Sequence, residues 1–94
     1  MLDSTRGTIE NALDKVFGEE VVPHVRWVDG EVPLKSLRDV ALGYVIGTAM
    51  GLAISFIVVA EQRPIADLDR RDIEAIIRRR LPEVLRKIET ELNK

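Results

Sequence analysis

Residues 40 to 60 read VALGYVIGTAMGLAISFIVVA, a run without one charged side chain. As a helix it is long enough to span a bilayer. Within it, Gly43, Gly47, Gly51 and Ser55 form a small-xxx-small ladder of the kind that lets membrane helices approach closely. A second pattern occupies the same residues. Even positions Val40, Leu42, Tyr44, Ile46, Met50, Leu52, Ile54, Phe56 and Val58 are bulky, with Thr48 the medium exception. Odd positions Ala41, Gly43, Gly47, Ala49, Gly51, Ala53 and Ser55 are small, with Val45 the exception. Period-two alternation is a strand signature, because successive side chains of a strand point to opposite faces. A turn at Thr48-Ala49-Met50 would then put every bulky residue on one face of a hairpin and every small one on the other. Ile54 to Val59, β-branched or aromatic except for Ser55, leans the same way. The preferred reading is therefore a hairpin whose small face is covered by a closely packed helix; the alternatives are a buried helix and a transmembrane helix.

Upstream, Asp29-Gly30 is a dipeptide suited to the positive φ angles of a type I′ turn, and β-rich runs flank it. Pairing Val28 with Glu31 sets Trp27 opposite Val32 and Val25 opposite Leu34, leaving His24 and Lys35 on the wet face. His24 is the only histidine and reads as a surface residue rather than a ligand. Before the hairpin, Ile9, Ala12, Leu13, Val16 and Phe17 follow the spacing of one helical face, and Gly18 stands at a C-cap position. A helix over about Ser4 to Phe17 follows.

Downstream, Asp69 is placed as an N-cap, with Asp72 three residues later completing a capping-box variant. Ile73, Ile76, Ile77, Leu81, Val84, Leu85, Ile88 and Leu92 then hold one face for about five turns, in register on both sides of Pro82. Proline inside a helix removes one backbone bond, so a kink near Arg78 is expected rather than a break. This helix, ~36 Å long at 1.5 Å per residue, would overhang strands of ~20 to 27 Å, so Leu85, Ile88 and Leu92 are expected to form a homodimer interface. Arg78, Arg79 and Arg80 could contact an anion or nucleic acid, although interleaved acids and absent aromatics favour a plain solvated face.

The chain has 94 residues, no cysteine, 32% charged residues and net charge −2. Those values exclude disulfides and thiolate metal sites and provide no basic field for nucleic acid. The polar, acid-bearing start lacks the pattern of a signal or transit peptide. Scarce amides and dense mixed charge resemble proteins from high-temperature organisms. The fold expected for residues 1–94, taken as a single domain, is α+β: an N-terminal helix, a four-stranded antiparallel meander, and a long C-terminal amphipathic helix packed on the sheet. The all-α alternative makes residues 40 to 60 a buried or transmembrane helix.

Phosphate-cradling, nucleophile-elbow and zinc motifs are missing. The acids Glu61, Asp67, Asp69 and Asp72 beside Arg63 are better explained by helix capping and strand exit than by acid–base or metal chemistry. The expected function is a cytoplasmic, non-enzymatic oligomerising or adaptor protein without cofactor or metal. Two other functions stay open: a single-pass membrane protein associating through Gly43, Gly47 and Gly51, and an anion or nucleic-acid binder through the arginine-rich helix.

Overall fold

The computed structural model describes residues Met1–Lys94. The uncharged run lies in a single helix, and four helices with no strand make up the fold: α1 (Asp3–Gly18), α2 (Val22–Glu31), α3 (Leu37–Glu61) and α4 (Asp67–Leu92). The expected α+β meander is thereby corrected to an all-helical arrangement, and both hairpins are absent.

The reason lies in the geometry of α3. Residues four apart on a helix form rows inclined to its axis, and four such rows cover the whole surface. In α3 the row Ala41, Val45, Ala49, Ala53, Ile57 is buried, while the row Gly43, Gly47, Gly51, Ser55 is exposed. Both rows carry odd numbers. Two mostly small rows separated by two bulky ones reproduce the period-two alternation without any strand. Ser36 starts the helix by accepting a hydrogen bond from the Asp39 amide at 3.1 Å, as an N-cap serine does. Gln62 ends it in the left-handed conformation, with φ at 50°.

That conformation is strained for any residue with a Cβ. Gln62→Gly is expected to stabilise the fold by roughly 0.5 to 1 kcal/mol, since glycine adopts it freely but loses more freedom on folding. A thermal melt followed by circular dichroism checks this, and an unchanged or lower midpoint would contradict it.

The second hairpin fails for a different reason. Pro23 sits in the first turn of α2, where its fixed φ and missing N–H are harmless and favour helix initiation. Val22 and Val25 turn inward. Asp29 and Gly30 fall in the last turn, and no glycine takes a positive φ. The Asp29 carboxylate instead accepts from the Leu34 amide at 2.9 Å, stitching the loop after α2.

The two amphipathic helices match their sequence pattern closely. Ile9, Leu13 and Phe17 of α1 are buried, as are Ile73, Ile76, Ile77, Val84 and Ile88 of α4. The latter helix begins two residues before Asp69 and runs through Pro82 without interruption. Asp69 is thus a first-turn acid rather than the N-cap, and it accepts from the Ala66 amide at 2.9 Å. Helices α1, α2 and α4 all pack on α3. Across the α1–α4 seam, Arg6 pairs with Asp72 and Arg80 with Asp14. The result is elongated, measuring 41 × 24 × 18 Å.

Candidate functional site

One face of α3 has no cover. Only 22% of its most apolar window is buried, and the outward rows leave Val40, Tyr44, Val58 and Val59 exposed. Val59 is 75% exposed and Tyr44 52%, values unusual for large apolar or aromatic side chains grouped on one uncharged surface. Between the bulky rows runs a shallow channel floored by Gly43, Gly47, Gly51 and Ser55. A Cβ placed on any of these glycines would meet no atom within 4 Å. Ser55 keeps its hydroxyl occupied by donating to the Gly51 carbonyl at 2.9 Å. Towards the C-terminal end the channel opens into a recess of about 190 Å³ lined by Leu52, Ser55, Phe56 and Val59.

Aromatic side chains mark the other end. Trp27 on α2 is 70% exposed, and the His24 ring stacks on Tyr44 with centroids 6.4 Å apart. His24 is therefore a surface residue, held by Tyr44 rather than by a strand neighbour.

The acids singled out around the α3–α4 connection form a clasp. Arg63 donates to both oxygens of Asp69 at 2.6 and 2.9 Å and to Glu61 at 2.8 and 3.1 Å. Glu61 also accepts from the Leu2 amide at 3.0 Å. The clasp thus ties the start of α1, the end of α3 and the first turn of α4 together. Hydrogen bonds from Arg63 first, and from the Ala66 amide second, hold the Asp69 carboxyl well below its usual range. The Leu2 amide, then Arg63, lowers the Glu61 carboxyl, and the Arg63 guanidinium is held more firmly protonated by Asp69 and Glu61. Each carboxylate oxygen of the clasp accepts at least one hydrogen bond. Asp72 is taken by Arg6 at 3.8 Å, and Asp67 is exposed. No group of three or more His, Asp or Glu side chains is arranged to hold a metal ion.

The three neighbouring arginines are divided by the fold. Arg80 pairs with Asp14 and Glu83 and lies 4.9 Å from the centre of the Phe17 ring, so it serves the α1–α4 contact. Arg78 and Arg79 are exposed. Lys87 caps α1 by donating to the carbonyls of Phe17 and Glu19 at 3.1 and 2.7 Å, where a cation also complements the helix dipole.

Of the apolar residues expected at an interface, Ile88 belongs to the core, Leu92 packs against it and Leu85 is half-buried. Their expected exposure depended on a sheet shorter than the helix. The surface left uncovered lies on α3 instead. The sequence pattern points to Gly43, Gly47 and Gly51 as a close-approach surface both in the membrane alternative and as the small face of the expected hairpin. Trp27 and Val59 were not identified as surface residues, and their outward position depends on which helical rows face inward. No protein-family model, curated protein or solved structure matches the chain.

Proposed function

We propose that this chain is a non-enzymatic association domain, an oligomerising or adaptor module of the cytoplasm whose working surface is the outer face of α3. The observation that carries this is the uncharged helix left exposed along Val40, Tyr44, Val58 and Val59. Contiguous apolar surface is costly in water, so a folded protein that keeps it uses it for contact. The saturated Arg63 clasp supports a structural rather than catalytic role for the acids.

A membrane span through α3 is the competing reading, because the 25-residue helix is long and apolar enough to cross a bilayer. The packed fold speaks against it. Helices α1 and α4 pack on α3 and carry ionised side chains such as Arg6, Asp14, Asp72 and Arg80, which are expensive to place in a bilayer. Spanning would require both helices to leave.

Light scattering and vesicle flotation test the proposal together. The wild type is expected to associate with itself or with an apolar surface, and a Tyr44→Asp/Val59→Asp variant to lose that association with its helical circular dichroism intact. A wild type that stays monomeric near millimolar concentration and ignores both detergent micelles and vesicles would overturn it.

A further inference from the structure

We infer that the outer face of α3 is covered by the same face of a second copy, the two α3 helices crossing antiparallel with their glycine rows in contact. This rests on the association role proposed above and names its partner.

Area is the first support. A monomer of 10.6 kDa is expected to expose about 5,500 Å², whereas this chain exposes 6220 Å². The surplus of about 750 Å² matches the ~800 Å² that one subunit contributes to a standard interface. It goes with the elongated shape: the radius of gyration is 14.6 Å where about 12 Å is usual for this length. A second copy laid along α3 would give a less elongated body.

The glycines are the second support. Nothing within the subunit approaches Gly43, Gly47 or Gly51, yet glycine is among the poorest helix formers. A helix backbone arriving from outside gives their small size a use, because rows of small residues permit close helix approach. The face carries no charge from Val40 to Ala60, so its occupant must also be uncharged over several turns. Within this chain α3 is the element that qualifies.

Direction follows from shape. If Gly47 of one copy lies opposite Gly51 of the other in an antiparallel pair, Tyr44 comes opposite Ile54 and its neighbours. The protruding Tyr44 then meets the recess formed by Leu52, Ser55, Phe56 and Val59. The Ser55 oxygen, already a donor to Gly51, retains lone pairs to accept from the tyrosine hydroxyl. A parallel pair would set knob on knob and recess on recess. The same register puts Val40 opposite Val58.

The chain has no cysteine, so introduced thiols report without background. Light scattering of the wild type is expected to give twice the monomer mass of 10.6 kDa. Gly47→Leu should weaken dimerisation roughly 100-fold without loss of helix. Should Gly47→Leu misfold, Val59→Asp provides the same reading from the rim. A short bis-maleimide should cross-link an equimolar mixture of Val40→Cys and Val58→Cys chains, and neither variant alone. Strong cross-linking of Val40→Cys with itself would overturn the antiparallel arrangement. A dimer indifferent to both Gly47→Leu and Val59→Asp would place the interface elsewhere and overturn the proposal. A wild type that is monomeric but floats with phosphatidylcholine vesicles would overturn the second-copy assignment while leaving the association role intact. A monomer that binds neither would overturn both.

Discussion

Ala49→Leu is expected to lower the thermal midpoint by roughly 12 to 20 °C, a loss of about 3 kcal/mol. Ala49 shares an inward row with Ala41 and Ala53, and all three are fully buried. The row is what lets α1 and α4 lie close to the α3 backbone. A leucine adds three heavy atoms where close-packed neighbours leave no room, so a helix must shift or the side chain must leave its preferred rotamer. For a domain of this length the total stability is about 5 to 14 kcal/mol, and the loss would be a large part of it. Thermal circular dichroism of the variant at a concentration where it is monomeric makes the comparison. A midpoint within a degree or two of the wild type would mean that the Ala41–Ala53 row does not bear the packing described.

The Asp69→Asn variant is expected to melt roughly 10 °C lower at neutral pH, because Arg63 and the Ala66 amide lose the carboxylate they share. Its pH dependence is more diagnostic than its size. The Asp69 carboxyl titrates below its ordinary value of 3.8 in the folded chain. A group depressed in this way stabilises the fold fully above its unfolded pKa, and that contribution drains away as pH falls through the folded one. Glu61 is shifted in the same direction, but it is present in both proteins and so adds to the acid sensitivity of each rather than to the difference between them. The wild type should therefore lose its advantage over Asp69→Asn progressively below about pH 4. Melting curves of the two proteins collected across that acidic range would refute the clasp if they ran parallel.

The parts that were legible in the sequence are those where one periodicity competes with no other. Ile9, Leu13 and Phe17, and the long series from Ile73 to Ile88, fit a helical face and nothing else, and they are buried as that fit implies. In α3 the small and bulky residues alternate by parity, and parity cannot distinguish a strand from a helix whose four-residue rows differ in size. Local signals existed: Ser36 with Asp39 three residues on marks a helix start, and Pro23 ahead of Val25 marks another. The Asp29-Gly30 turn outweighed the second because its φ preference was weighed without the helix that precedes it. At the clasp, Arg63 and the acids around it were recognised as neighbours. Their interlocking depends on the five-residue connection between α3 and α4 and was not legible. Likewise the candidate surface could be found only once the inward row of α3 was known.

Because every other helix packs on α3, the order of synthesis matters to the fate of the chain. Helices α1 and α2 are synthesised before the element they rest on. At usual elongation rates, roughly 2 to 6 s separate completion of α3 from completion of α4. As the uncharged helix emerges, before α4 has followed it, it has at most α1 and α2 for cover. To the factors that sample nascent chains it then looks much like a membrane segment, and α1 and α2, already waiting, are positioned to claim it first.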